Sequence, residues 1–407
     1  MAGGDGRGGG WPGAVSEGLL VYFAGSHYDG SVAGTDRHIA DRLATGRDVL
    51  YVNPPVAVAA RRRRPELAGT LARPPLDAAG PGLTLLTVRV PPARTRPGVY
   101  PLGVALTRRA VRRALRGLGR RADAVIAANY DDVLGTAEGA RTLFYATDDL
   151  VAGAPMMGLP VRTMIRAEAR QLRKADAVAV VSPALRDRFA ALGRAAELVP
   201  NGCDVAAYAD VDDAPPPPDV PFTPADGPVA GFVGNINERT DIAFLEAVAA
   251  AGPLLLVGPR KPGFAPGRFD ELIRRPTVRW VGHKPFAELP SYLRMIDVGL
   301  TPYADTPFNQ ASFPLKTLEY LAAGRAVVSS ELPATALLRS EPDGRELIRT
   351  ARSPEEFARA VAEAAREPRT PGLAGRRRAF AARHDWSQRA LALAGLLDNE
   401  TREVSRA

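Results

Sequence analysis

Short apolar runs alternate with amphipathic stretches along most of this chain. Leu19–Phe23, Val49–Val52, Ala124–Ala128, Thr142–Tyr145 and Ala177–Val181 read as buried strands, because runs of four to six apolar residues suit strands covered on both faces. Between them, Thr35–Leu43 and Arg162–Lys174 carry apolar residues at helical spacing. A break follows at Asp210–Pro228, where PPPP at 215–218 sits among further turn-forming residues. The alternation then restarts with Val229–Val233, Leu254–Val257, Val278–Val281, Val298–Thr301 and Ala326–Ser329, and Trp386–Leu397 reads as a closing helix. Strands separated by crossover helices predict parallel sheets. The expectation is therefore two α/β, Rossmann-like doubly wound domains facing each other across a cleft. Their predicted bounds are 18–209 and 229–384, with a mobile glycine-rich start at 1–17, a proline-rich linker at 210–228, and a C-terminal helix and tail at 385–407 that packs back on the first domain.

Composition narrows the function classes. With 407 residues, 46% hydrophobic and 24% charged, the chain is of ordinary globular composition and long enough for two cores. A single cysteine, Cys203, removes disulfide frameworks and thiolate metal clusters built within one chain. No run nears the ~18 apolar residues of a membrane span, and the start lacks the apolar stretch of a secretory signal. The expected location is the cytoplasm, with peripheral attachment to the inner face of the cell membrane.

The net charge is +8, and its placement matters more than its size. Of 53 Lys and Arg residues only Lys174, Lys261, Lys284 and Lys316 are lysines, so the bias toward arginine is chain-wide. Residues 78–122 hold ten arginines and no acid. On a helical wheel over Leu106–Arg121, Leu106, Ala110, Val111, Ala114, Leu115 and Leu118 fall on one half. Arg108, Arg109, Arg112, Arg113, Arg116 and Arg120 fall on the other, and four more arginines stand at 61–64. Such a face suits an anionic membrane surface. It does not suit nucleic acid, because no aromatic residues interleave it as a stacking platform.

Doubly wound domains bind ligands at the carboxyl ends of their strands, and the chemistry-bearing residues lie there. After Val229–Val233 come Gly234 and Asn235, then Arg239 ahead of a helix, a pattern able to receive an anion on backbone amides and a guanidinium. After Leu254–Val257 comes Gly258. In Phe313-Pro-Leu-Lys-Thr-Leu-Glu-Tyr-Leu-Ala-Ala-Gly324, Pro314 opens a helix and Gly324 closes it. Lys316 and Glu319 share a face of that helix. A lysine at a helix N-terminus opposes the macrodipole unless an anion sits beside it, and a glutamate one turn on can accept two ribose hydroxyls. An exposed ion pair between the two is the plainer reading of the same spacing.

The segment PLKTLEYLAAG, with VGNINERTD and WVGHKPFAELPSYLRMIDVGLTPY ahead of it, resembles the C-terminal domain of retaining GT-B glycosyltransferases of group 1, among them cell-envelope enzymes such as those of teichuronic acid synthesis. YATDDL at 145–150, ADAVAVVSPAL at 175–185 and VPNGCD at 199–204 extend the similarity into the first half. The resemblance implies a transfer from a nucleotide-diphosphate sugar to a cell-envelope glycan or lipid-linked acceptor, without cofactor or metal. Glu319 would hold the ribose, Arg239 and Lys316 the diphosphate, and His283 the edge of the base. Leu315 and Thr317 belong to the same motif. Ala311 stands where the motif has its first glutamate, leaving Asn309 or Ser312 to meet the sugar. Asn129 follows the strand where many relatives place a histidine, so the catalytic group of the first domain is sought among Asp131, Asp148, Asp149 and His27. An aspartate at such a turn also serves as a helix cap. A nucleotide-sugar 2-epimerase, and a binding protein without turnover, are the alternatives.

Overall fold

The computed structural model describes residues 18–29, 34–57, 67–92 and 99–398. The glycine-rich start, the arginines at 61–64 and the tail beyond residue 398 lie outside the described residues. By contact the chain divides into two units. The first holds residues up to Ala146, then Ile165–Ala179 and the chain from Arg389 on; the second holds Thr147–Met164 and Val180–Gln388.

The first unit contributes seven strands to its sheet: β1 (Leu19–Phe23), β2 (Asp48–Val52), β3 (Leu76–Gly80), β4 (Leu83–Leu86), β5 (Ala122–Ala127), β6 (Arg141–Ala146) and β7 (Ala177–Val180). They lie in the order β7-β6-β5-β1-β2-β4-β3. The pairings from β6 through β5, β1 and β2 to β4 are parallel, and β3 joins β4 antiparallel at the edge. Every residue of β1 is buried, as expected of a strand covered on both faces. β3 and β4 were not among the expected strands. β3 alternates exposed and half-buried residues at the edge and carries no apolar run to mark it.

The second unit has β8 (Ala230–Val233), β9 (Leu254–Val257), β10 (Val278–Trp280), β11 (Val298–Thr301), β12 (Ala326–Ser330) and β13 (Ile348–Ala351). Their order is β10-β9-β8-β11-β12-β13, all parallel. This is the 3-2-1-4-5-6 arrangement of a Rossmann sheet, with its switch point between β8 and β11. Phe232, Leu245, Leu256, Phe269, Leu300, Val328 and Phe357 form its core. β13 lies beyond the five strands expected, since Ile-Arg-Thr-Ala buries only its two ends.

The proline-rich segment falls wholly inside the second unit instead of between the two. Asp212 bonds Arg325 at 2.6 Å and Arg378 at 3.1 Å, and Asp219 bonds Lys284 at 2.6 Å and Tyr292 at 2.9 Å. These pairs hold the segment 213–218 at both ends.

The arginine-rich stretch is a helix over Val99–Gly117, and its faces differ from the expected wheel. Val104, Thr107, Val111, Ala114 and Leu115 are buried, Leu106 is half-buried and Leu118 is exposed. Nor are all the arginines solvated. Arg108 pairs with Asp132 at 3.1 Å, Arg112 donates to the Thr136 carbonyl at 3.0 Å, and Arg120 pairs with Asp48 at 2.5 Å. Arg109, Arg113 and Arg116 remain exposed.

Candidate active site

The carboxyl ends of β8 and β11 flank the switch point of the second sheet, and the loops leaving them are joined. Thr240 bridges Tyr303, Asp241 N–H donates to the Pro302 carbonyl at 2.8 Å, and Ala304 N–H donates to the Arg239 carbonyl at 2.9 Å. Asn309, fully buried in the helical turn Pro307–Ala311, ties the junction together. Its amide donates to the carbonyls of Arg239 (2.9 Å) and Ala304 (2.8 Å), while its oxygen accepts from Arg239 Nε at 3.1 Å. The Arg239 guanidinium also lies 5.2 Å from the Tyr303 ring centroid and 5.0 Å from that of Phe308. An amide and two rings orient the cation without neutralising it.

Two glycines make room for the second cation. A Cβ on Gly234 would stand 2.3 Å from Lys316 Cε, so the lysine stem crosses the turn where β8 ends. Gly258, at φ +136°, has no room for a side chain either: its Cβ would meet the Gly234 carbonyl oxygen at 1.9 Å. Gly258 N–H in turn donates to the Gly282 carbonyl at 2.7 Å. The turns after β8, β9 and β10 are thereby stacked against one another. Asn235 and His283 are exposed on the first and third of these turns.

The helix Leu315–Ala322 opens at Pro314, and Gly324 (φ +76°) ends it ahead of β12. Tyr320 anchors it to the sheet: its hydroxyl accepts from Val233 N–H at 2.8 Å, and its ring fills the space over Gly299, where a Cβ would be 2.2 Å away. Lys316 and Glu319 are 3.6 Å apart and both about a quarter exposed. Tyr208 is buried in the turn Val205–Tyr208, and burial and the nearby Glu319 carboxylate together push its pKa well up. Cys203 is buried close to the same carboxylate, which with burial raises its thiol pKa. Leu315 is half-buried, while the Thr317 side chain faces the sheet, 3.5 Å from Thr301. Thr317 is thus placed as packing under the helix.

Of the aspartates singled out from the sequence, Asp149 is a helix cap. It accepts from Val151 and Ala152 N–H at 3.0 and 2.9 Å and pairs with Arg188 at 3.3 Å. Asp148 instead reaches Ser312, whose Oγ lies 3.3 Å from its Oδ1 and 2.9 Å from the Phe308 carbonyl. At Ala311 the carbonyl accepts from Ser182 Oγ at 2.6 Å. The structure therefore brings Arg239, Asn309, Ser312 and Asp148 around one turn, with Lys316 and Glu319 on the helix that follows.

His27 and Asp131 belong to the first unit, at the strand ends flanking its own switch point between β1 and β5. There the sequence reading missed the main residue, Asp36. Its buried carboxylate accepts from Tyr22 Oη (3.0 Å), Gly25 N (3.0 Å), Ser26 N (2.8 Å) and Ser26 Oγ (2.7 Å). Burial raises its pKa against the pull of those hydrogen bonds. The only signal in the sequence was an acid in the first turn of the helix Thr35–Leu43, eleven residues beyond the glycine it binds. Asn129 donates to the Ala24 carbonyl at 2.9 Å and accepts from Asp131 N–H at 3.0 Å, so it ties the β5 end to the β1 end.

Known proteins resemble this chain in part of its sequence and in its fold. Residues 227–367 match the family model described as Glycosyl transferases group 1. Over 180 residues the chain is 34% identical to TuaH of Bacillus subtilis (strain 168), named as a glycosyltransferase of teichuronic acid biosynthesis. That match takes in 42% of this chain and 45% of TuaH, so the chain spans less than half the length of that relative. Among solved structures, sucrose-phosphate synthase from Thermosynechococcus elongatus superimposes with a TM-score of 0.71 over 95% of this chain and 100% of that one, at 18% identity. HepE of Anabaena, solved with UDP and glucose, gives 0.64 over 93% and 99%, at 17% identity. The fold is that of the GT-B glycosyltransferases.

Proposed function

We propose that this protein is a glycosyltransferase that moves a hexosyl group from a nucleoside-diphosphate sugar to a cell-envelope glycan or lipid-linked acceptor, with retention and without a metal ion. The observation that carries the reading is the convergence of two cations, Arg239 and Lys316, on the switch point of a Rossmann sheet whose glycine turns admit no side chain. An anionic ligand with a hydroxylated end fits that arrangement: diphosphate toward Arg239 and Lys316, ribose toward Glu319, base toward His283, sugar toward Asn309, Ser312 and Asp148. HepE, of like fold, was solved with UDP and glucose.

In the reaction the bond between the anomeric carbon and the phosphate oxygen breaks, and its electron pair stays on the diphosphate. The acceptor hydroxyl oxygen bonds to the anomeric carbon from the same face, and its proton passes to the departing phosphate. Arg239, Lys316 and the first amides of the Leu315–Ala322 helix stabilise the charge that develops on the leaving group. That assignment gives the cations the work a divalent metal does elsewhere. Asp131, Asp148 and His27 are retained as groups that orient the acceptor or the sugar.

Calorimetry with UDP-, GDP- and dTDP-sugars, followed by transfer assays with and without excess EDTA, tests the reading. One nucleotide sugar should bind and turn over in chelator. Restoration of a chelated enzyme by Mg²⁺ or Mn²⁺ alone would overturn the metal-free mechanism, and binding without turnover would favour the alternative prompted by Ala311. No helix among the described residues is long and apolar enough to cross a membrane. The exposed Arg109, Arg113 and Arg116 support peripheral contact with an anionic membrane where a lipid-linked acceptor is met.

A further inference from the structure

The stretch Thr147–Met164 lies in the first half of the sequence yet belongs to the second unit, where it meets the Phe308 ring. Gly153, buried in the helical turn Leu150–Gly153, makes the contact: a Cβ on it would stand 2.8 Å from Phe308 Cε2 and 2.9 Å from Cδ2. Its backbone asks for no glycine, because its φ is not positive and a helical turn favours alanine. What the glycine provides is room for the ring.

Phe308 cannot easily yield that room, because its own turn, Pro307–Ala311, is fixed at three points. Thr306 Oγ1 accepts from Asn309 N–H at 3.2 Å, the Asn309 side chain bonds Arg239 Nε and the Ala304 carbonyl, and the Ala311 carbonyl accepts from Ser182 Oγ at 2.6 Å. From this fixed place Phe308 touches both halves of the candidate site. Its ring centroid lies 5.0 Å from the Arg239 guanidinium. Its carbonyl accepts from Ser312 Oγ at 2.9 Å, and that oxygen is 3.3 Å from Asp148 Oδ1. Asp148 also follows Gly153 through the backbone. Leu150 N–H donates to the Asp148 carbonyl at 3.1 Å, Gly153 N–H donates to the Asp149 carbonyl at 2.8 Å, and the Asp149 carboxylate caps the same turn. Residues 148–153 are thereby one hydrogen-bonded piece resting on the ring.

We propose that Phe308 is a positioning residue: the fit of its ring on Gly153 sets the distance between the Arg239 guanidinium and the Asp148–Ser312 pair. On the glycosyltransferase reading, on which this rests, the diphosphate meets the first and the sugar meets the second. Those two ends are covalently joined, so a nucleotide sugar uses both places only when their separation is right. A free nucleoside diphosphate uses the first alone. A methyl group at Gly153 would push the 148–153 piece off the ring, because a packed ring has no free end to turn aside. A misplacement of ~1 Å is enough to spoil contacts that must all be made at once.

The experiment is calorimetry of the full chain with UDP-glucose, GDP-mannose and dTDP-glucose, each beside its free nucleoside diphosphate, with melting temperatures in parallel. Gly153→Ala should hold the nucleoside diphosphate within about twofold of wild type and lose about tenfold in affinity for the nucleotide sugar, the order of one hydrogen bond. Phe308→Leu should weaken the nucleoside diphosphate by roughly two- to fivefold, through the lost ring contact with Arg239. In Gly153→Ala/Phe308→Leu the leucine gives back about the volume that the methyl takes. There the sugar's share of the affinity should return toward wild type, while the nucleoside diphosphate stays as weak as in Phe308→Leu. A merely structural contact would not separate the two ligands in this way. Unchanged sugar affinity in Gly153→Ala, or a double variant that binds the nucleotide sugar no better than Gly153→Ala, overturns the proposal. Should Gly153→Ala fail to fold, the double variant must fold and bind the nucleotide sugar, and its failure overturns the proposal as well. Binding of no nucleotide by the wild type would overturn the glycosyltransferase reading and this proposal with it, whereas nucleotide binding with unchanged sugar affinity overturns this proposal alone.

Discussion

The two sheets present opposite chemistry at equivalent places. Each has a switch point with glycine turns at the strand ends. In the first unit a carboxylate, Asp36, is buried beneath the Gly25–Ser26 turn and spends its lone pairs on four internal hydrogen bonds. In the second, two cations stand at the turns, and the groups around Arg239 are neutral. One end has folded its charge into its own support, and the other holds the Arg239 guanidinium among neutral groups, with Lys316 beside Glu319. Under the function proposed above, the anionic leaving group would sit at the second and the acceptor hydroxyl at the first. Topology alone would have treated the two ends alike.

The sharpest way to break this contrast is at Gly258. Gly258→Val puts a side chain into the Gly234 carbonyl at a backbone angle that L-residues avoid. We expect a loss of roughly 3 kcal/mol or more of stability and of nucleotide binding together. A variant that melts like wild type and binds nucleotide would mean that the stacked turns are not needed.

Next comes Asp36. Asp36→Ala strands Tyr22 Oη, two backbone amides and Ser26 Oγ in a buried site and should cost about 3 kcal/mol, read by chemical denaturation; the isosteric Asp36→Asn should cost less. Because burial raises this group's folded pKa, its contribution is fullest below the unfolded carboxylate range and declines as pH rises through the folded value. The stability gap between wild type and Asp36→Asn should therefore shrink as pH rises above about 4. A gap that widens instead would reverse the sign assigned to burial.

Glu319→Ala tests the other end of the comparison. Affinity for the nucleotide diphosphate should fall by roughly 1–3 kcal/mol in calorimetry, with the fold intact. An unchanged affinity would remove the ribose from that helix face.

The smallest effect is expected at the segment 213–218. The hydrogen bonds and charges of Arg325 and Arg378 outweigh burial at Asp212, and those of Lys284 and Tyr292 outweigh it at Asp219, so both carboxylates are held below their ordinary pKa. Their stabilisation is present above the unfolded value and lost as pH falls through the folded one. Asp212→Ala should cost about 1 kcal/mol at neutral pH and nothing once both carboxylates are protonated. Proteolysis at 213–218 should speed up in acid for the wild type. A rate that does not change would show that the segment is held by other contacts.

What the sequence by itself determined is the part of the structure in which each residue acts through its neighbours. β1, β9 and β11 and the helix Thr35–Leu43 fall where the apolar runs and their spacing put them, because a strand or helix declares its period over a few residues. PLKTLEYLAAG was equally legible, since Lys316 and Glu319 meet across a single turn. Asp36 was not, because its partners are ten and more residues away and a lone acid in a first turn looks like any other. Asp148 and Asp149 are adjacent and identical in kind, yet one caps a helix and pairs with Arg188 while the other reaches Ser312, more than 160 residues on. Glu168 and Gln171, on the buried side of the helix Val161–Lys174, find their partners in Tyr130 and the Asn129 carbonyl, more than thirty residues earlier. Local periodicity is a property of the chain, but the partner of a polar side chain is chosen only when distant segments meet, and there the tertiary structure decided.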